Sequence, residues 1–241
     1  MLLGVILALQ VNTIYAQNSG SMLLASTSTI FPFYTISKER FIFVAGHIFM
    51  VYQRMKRYIV HLQNALLYTP KDATALLHKA RQLVKPEVSI RDARISRKYI
   101  EFDTSVSDDK DLKEIIAKLE AIAPLDGYEQ IIERHMEKDI AIRRAVLLFN
   151  DEKYWQAHEV LEYVWKNATG NEKEILNGII LVAAAFVHYQ KDEHDVCISI
   201  LERAIKKLDQ ASGIYHGIDT NRIANMISKI INTRRVESFT I

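Results

Sequence analysis

Hydrophobic and polar positions repeat with two different periods along this chain. Residues 57–125 contain short alternating runs, such as Tyr58, Val60 and Leu62 on one face, which are typical of half-buried strands. The stretch at 137–235 repeats its apolar residues every three or four positions and contains no proline. Because proline disrupts helix interiors, this second pattern favours helices.

The alternating part predicts a small α+β domain at 55–126. Its elements follow in the order strand, helix, strand, strand, helix, and a short last strand at 127–133 would complete the set. This βαββα order, with the final strand, is that of a ferredoxin-like sandwich. The predicted elements are 57–64, 72–84, 88–95, 98–106 and 110–122.

The part at 137–235 predicts an all-α bundle of about five helices. The third is apolar nearly all round, so we expect it to be central and buried. A faint repeat at a spacing of 40 residues pairs Phe149 with Tyr189 and Glu162 with Glu202, as in tetratricopeptide-like helical pairs. The predicted helices are 137–149, 152–167, 172–190, 194–208 and 220–234.

Residues 1–54 differ from the rest, because they hold only four charged residues: Lys38, Glu39, Arg40 and Arg54. Three interpretations remain open for this apolar segment. It is a signal or anchor, an extension of the protein, or a stretch upstream of the true start at Met50 or Met55, which we favour. The apolar run at 41–52 is shorter than the roughly 20 residues that span a bilayer as a helix.

Composition excludes some classes of function. A net charge of +2 over 241 residues is too low for a broad electrostatic binder of nucleic acid, and no DNA-binding motif is present. A single cysteine, Cys197, excludes an internal disulfide framework and a cysteine-rich zinc site. We therefore predict a cytoplasmic protein; a secreted or membrane-anchored one is the alternative if residues 1–16 are a true signal.

The segment YWQAHEVLEYVW, at 154–165, concentrates the chemistry of the helical part. His158, Glu162 and Trp165 stand at i, i+4 and i+7, so they share one stripe of a helix. An apolar stripe lies beside them, and this predicts a partly buried polar seam. A buried glutamate must be paired or protonated, which makes the histidine one turn away its expected partner.

Residues 149–208 resemble domain-of-unknown-function family 309, a small all-helical family defined by the pattern HxxxExxW. His158, Glu162 and Trp165 occupy the positions of that pattern. The resemblance implies a helical fold, and the family's name states no activity. The other matching residues are Phe149, Asn150, Tyr154, Ala157, Glu159, Leu161, Gly178, Ala183 and His188.

The favoured functional interpretation is a binding or scaffold protein that has no certain cofactor and is not expected to be an enzyme. Its partner would be a protein or peptide, and a homo-oligomer stays open. The seam would either be structural or line a groove between helices. Its residues are His158, Glu162, Trp165, Tyr154 and His188.

A metal-dependent hydrolase is the first alternative. His158 and Glu162 can ligate one divalent metal from one helix face, His188 can add a third ligand, and Glu159 is the candidate catalytic base. The order HExxE lacks the second histidine of the HExxH signature of zinc proteases.

A factor that binds RNA or the ribosome is the second alternative. It depends on a basic cluster in the predicted hairpin, Arg91, Arg94, Arg97 and Lys98, whose side chains could contact phosphates. The same cluster also suits a solvated sheet edge that discourages strand pairing.

Overall fold

The chain divides into two compact units, Met1–Met55 and Lys56–Ile241. The computed structural model describes residues 55–85, 88–132, 135–209 and 213–241, together with the backbone of four earlier strands. These strands form an antiparallel sheet in the order β1-β2-β4-β3: β1 (Asn12–Ile14), β2 (Leu23–Thr27), β3 (Arg40–Val44) and β4 (His47–Val51). The predictions for 1–54 otherwise concern residues outside the described ranges.

The second unit begins with a four-stranded antiparallel sheet in the order β6-β7-β5-β8, with two helices on one face. This topology confirms the predicted ferredoxin-like sandwich and its last strand. The elements are β5 (Lys56–Gln63), α1 (Ala73–Leu83), β6 (Ser89–Ile95), β7 (Tyr99–Val106), α2 (Asp109–Leu119) and β8 (Leu125–Gln130).

One face of this sheet is apolar, and α1 and α2 cover it. The alternating residues Val60, Leu62 and Phe102 are fully buried there, in one cluster with Leu76 of α1 and Leu119 of α2. The chain can start α2 at this point because the Asp108 carboxylate caps it, accepting from the backbone N–H groups of residues 110 and 111 at 2.9 and 2.8 Å.

Five helices follow in the described ranges, and they confirm the predicted helical bundle; a short antiparallel hairpin, β9 (Ile214–Tyr215) and β10 (Ile218–Asp219), precedes the last helix. The central one, α5, packs against α4 and α6. Gly178 on α5 permits the close approach, because a Cβ there would lie 2.6 Å from the Leu208 side chain. No helix among the described residues combines the length and apolar character needed to cross a membrane. The helices are α3 (Lys138–Asn150), α4 (Tyr154–Lys166), α5 (Gly170–Tyr189), α6 (His194–Leu208) and α7 (Thr220–Thr233).

The faint sequence repeat corresponds to two equivalent turns, one between α3 and α4 and one between α5 and α6. The N–H of Glu152 donates to Phe149 O at 2.9 Å, and the N–H of Asp192 donates to Tyr189 O at 3.0 Å. Both Glu152 and Asp192 adopt a positive φ, 62° and 65°. The two helical pairs are therefore joined by the same local geometry.

Candidate functional site

The second face of the sheet is charged, and it is buried against the helices. His61 Nε2 lies 3.1 Å from Glu101 Oε1, and Arg94 Nε donates to Glu101 Oε2 at 2.9 Å. The three side chains are at most 5% exposed. Beside them, Arg57 donates to the buried Asp103 carboxylate at 2.9 Å. The alternation of β5, β6 and β7 thus aims one row of charges at the bundle.

Helix α4 covers this charged layer through Trp155. The guanidinium carbons of Arg57 and Arg94 lie 4.6 and 5.4 Å from the centroid of its ring. Cations over an aromatic face are attracted by the ring quadrupole, more strongly when water is excluded. Trp155 therefore ties the helix with the HxxxExxW pattern to the sheet.

Glu101 stays ionised inside this layer. Burial acts to raise the pKa of its carboxyl, but the hydrogen bond from His61 and the charge of Arg94 outweigh burial and hold the pKa below its usual value. One terminal nitrogen of Arg94 is buried with no acceptor among the described residues. Both carboxylate oxygens of Glu101 therefore have a hydrogen-bond partner, whereas one guanidinium nitrogen of Arg94 has none among the described residues.

The connection between β6 and β7 docks into the two equivalent turns. The N–H of Ile95 donates to Gln190 O at 2.9 Å, and the Gln190 amide donates to Glu152 O at 2.8 Å. The buried Glu152 carboxylate accepts from the N–H of Arg97 at 2.9 Å and from its Nε at 2.6 Å. The two turns therefore present Gln190 O and the Glu152 carboxylate, which bind the connection between β6 and β7.

The basic cluster is largely neutralised by these contacts. Arg94 is buried on Glu101, Arg97 is paired with Glu152, and Lys98 donates to Asp151 at 2.8 Å. Arg91 is exposed. Binding of RNA through this hairpin stays a prediction, and the acidic partners reduce the charge that the hairpin can offer to phosphates.

On α4 the structure brings together His158, Glu159 and Glu162. One possible ligand atom from each lies within 4.8 Å of the others. His158 Nδ1 faces Glu159 at 3.5 Å, whereas Glu162 makes no ion pair or hydrogen bond within the described ranges. His188, the predicted third ligand, is not in this group, and its Nδ1 is hydrogen-bonded to the Glu193 carboxylate.

Tyr154 and Trp165, two more residues of the predicted site, contact other side chains of the bundle. Tyr154 is buried and stacks on Phe186, with ring centroids 4.7 Å apart. The Trp165 ring is half-buried under the ammonium group of Lys173, 4.5 Å from its centroid. Both residues therefore support α4 within the bundle, and neither lines the cleft between α4, α3 and β8.

A cleft of about 150 Å³ opens between α4, α3 and the end of β8. On its wall Glu129 accepts from Arg144 at 2.5 Å and from the Gln156 amide at 2.8 Å. Gln156 is 6% exposed, and its Oε1 has no donor among the described residues. The apolar part of the lining consists of Ile131, Ile132, Met136, Leu148, Trp155, Val160 and Tyr163.

A match to a family model agrees with the resemblance seen in the sequence. Residues 142–200 match the family model described as Domain of unknown function (DUF309). That match confirms the predicted family for this region. A solved structure of a conserved hypothetical protein from Thermus thermophilus is 27% identical, covers 37% of this chain and 94% of its own, and has a TM-score of 0.34. No curated protein matches the chain.

The DUF309 match covers neither the strands of the charged layer nor the β8 side of the cleft. Gln156 and Tyr163 were not among the residues predicted from the sequence, although with Val160 they stand at i, i+4 and i+7 and form a second stripe on α4. Glu101 was not predicted either, because it lies on a strand face that alternation alone would assign to solvent.

Proposed function

We propose that this protein is a binding module that takes a segment of a partner protein into the cleft beside α4. The observation that carries the proposal is the lining: seven of its fourteen residues are apolar, and Glu162 has no ion-pair partner among the described residues. Binding sites commonly combine apolar walls with a few polar groups that orient the ligand. At about 150 Å³ the cleft suits one or two side chains of a partner.

The surrounding contacts favour a preformed site. Glu129 and Gln156 are fixed by their mutual hydrogen bond, and Trp155 is held against two arginines. A rigid wall lowers the conformational entropy lost on binding. A reducing compartment such as the cytoplasm suits the module, because its one cysteine, Cys197, is a free thiol.

Photocrosslinking tests this proposal. A photoreactive amino acid at Lys166, on the exposed rim of the cleft, should crosslink to one defined segment of a partner in cells. The matched control is the same group at Lys206, exposed on α6. Mass spectrometry of the products should find the segment at position 166 alone, and Val160→Trp should abolish it. The same products at both positions would contradict the proposal.

A second candidate is a divalent-metal site, with hydrolysis as its chemistry, and the cluster on α4 favours it. His158, Glu159 and Glu162 supply an imidazole and two carboxylates within 4.8 Å. Zinc accepts both ligand types, and three protein ligands would leave a position for a water. In this candidate site Glu159 is the third ligand, the role that was predicted for His188 from the sequence.

Metal titration tests the second candidate. We expect the full chain to bind about one equivalent of Zn²⁺ in calorimetry, as catalytic sites with three protein ligands do. His158→Ala and Glu162→Gln should lose it. His78→Ala, an exposed histidine on α1, is the control and should bind as the wild type does. Equal binding by His158→Ala and the wild type would rule the site out.

A further inference from the structure

The outer edge of β8 offers unpaired backbone groups next to the cleft. On its inner side β8 pairs with β5, and the N–H of Ile131 donates to Arg57 O at 2.8 Å. Because hydrogen-bonded pairs alternate in an antiparallel ladder, the backbone groups of Tyr128 and Gln130 point outward. Within the described ranges no strand pairs with that edge.

This edge continues directly into the cleft. Glu129 and Gln130 belong to β8 and also line the cleft, and Ile131 and Ile132 extend the wall beyond the strand. The Tyr128 side chain is 53% exposed beside the edge. A chain that adds to β8 would therefore run along the mouth of the cleft, and alternate side chains would point toward it.

The charged side chains that line the cleft favour a ligand with a positive charge. Arg144 is paired with Glu129, and Glu159 lies 3.5 Å from His158 Nδ1, which leaves Glu162 without an ion-pair partner among the described residues. Oxygens of Glu159 and Glu162 lie within 4.8 Å of each other, a separation that a guanidinium can bridge with two N–H donors.

A second observation also calls for a donor. The buried Gln156 on the wall has an amide oxygen without a donor among the described residues. Buried acceptors normally have a partner, and one left unmade costs free energy. The lining of the cleft also holds three carboxylates, Glu129, Glu159 and Glu162, against two cations, Arg144 and Lys166, which favours a ligand that donates hydrogen bonds.

We infer that the partner segment is an extended chain carrying arginine or lysine, which adds to β8 as a fifth strand and places its cationic side chain between Glu159 and Glu162. This inference rests on the proposed function. Backbone hydrogen bonds along the edge supply sequence-independent affinity, and the cationic side chain supplies selectivity.

Fluorescence anisotropy with defined peptides tests the inference. The probe is a labelled peptide of about five residues, a usual strand length, that alternates valine and arginine. EDTA is present, so that metal binding cannot contribute. A matched peptide carries citrulline, which keeps the shape of arginine without its charge. The full chain should bind the citrulline peptide at least about tenfold more weakly, as loss of a charge-assisted hydrogen bond predicts.

Variants locate the binding. Glu159→Gln and Glu162→Gln should each weaken binding of the arginine peptide, whereas Glu114→Gln, which removes an exposed carboxylate on α2, should not. N-methylation of the amides on one side of the peptide should also weaken binding, because those amides would donate to the edge of β8.

The outcomes separate this inference from the proposed function. Equal affinity for the arginine and citrulline peptides, both lost on Val160→Trp, would overturn the cationic partner and leave the binding module intact. Unchanged affinity after N-methylation of either side would overturn strand addition. If neither peptide binds, the inference fails, and the crosslinking at Lys166 decides independently whether the cleft is used.

Discussion

The two faces of the β6-β7-β5-β8 sheet are buried in opposite ways. Toward α1 and α2 the sheet presents Val60, Leu62 and Phe102, which pack as an ordinary apolar core. Toward the helical bundle it presents Glu101 and Arg94, equally excluded from water. The same strands therefore support one interface by hydrophobic burial and the other by paired charges.

Burial alone therefore does not indicate which interaction stabilises an interface. Burying apolar surface is favourable by about 25 cal/mol per Å². Burying an ion pair costs desolvation that the attraction between the ions only partly offsets. We expect the apolar face to contribute most of the stability of the sandwich, and the charged face to make its docking on the bundle specific.

The largest effect should come from leaving one buried charge without its partner. Glu101→Gln keeps the shape of the side chain but leaves the buried Arg94 with only its longer contact to Asp92, at 3.6 Å, so the free energy of unfolding should fall by about 3 kcal/mol in urea denaturation. Phe102→Ala on the opposite face should cost a similar amount through a cavity. A loss below about 1 kcal/mol for Glu101→Gln would show that water reaches the charged layer.

The pH dependence should then distinguish the two faces. The pKa of Glu101 is lower in the folded protein than its unfolded value, so its contribution is complete above the unfolded pKa and is lost as pH falls through the folded one. The stability difference between wild type and Glu101→Gln should narrow below about pH 4.3. The difference for Phe102→Ala should stay constant over the same range. A constant difference for both variants would contradict this assignment.

A smaller effect should follow from breaking the docking of the hairpin. Glu152→Gln weakens the bonds to the backbone and side chain of Arg97, and loss of charged hydrogen bonds of this kind costs about 1.5–3 kcal/mol. Asp192→Asn is the matched control, because Asp192 occupies the equivalent turn and also has a positive φ, but it is exposed. Hydrogen exchange at the amide of Arg97 should accelerate in the first variant only; equal acceleration in both would contradict the docking role.

The smallest effect is expected from an exposed ion pair outside both faces. Glu114 lies between Lys85 and Lys118, and their hydrogen bonds lower its pKa to about 2. Exposed pairs are screened by solvent and often contribute nothing measurable. Glu114→Gln should therefore leave the melting temperature unchanged within error. A drop comparable to that of Glu152→Gln would weaken the contrast between buried and exposed charges.

Much of the fold was predictable from local patterns in the sequence. The period-two runs predicted β5 to β8, and the unbroken apolar periodicity predicted the helices within a few residues. The pattern at His158, Glu162 and Trp165 identified the family region. These features depend on neighbours in the chain, which is why the sequence contains them.

The site itself depends on contacts between distant residues. His61 meets Glu101 from 40 positions away, and Arg97 meets Glu152 from 55 positions away. Alternation could show that β7 has a polar face, but not that a bundle would cover it. The basic hairpin looked available to phosphates for the same reason.

The sequence predicts β5 to β8 and the five helices α3 to α7, their order, and the stripe of α4 that carries His158, Glu162 and Trp165. The packing of these elements, which the sequence does not predict, buries the polar face of the sheet, pairs His188 with Glu193 rather than with His158, and leaves Glu162 beside a cleft. The physical reason is that backbone periodicity is local, whereas the pairing and desolvation of charges depend on which surfaces meet.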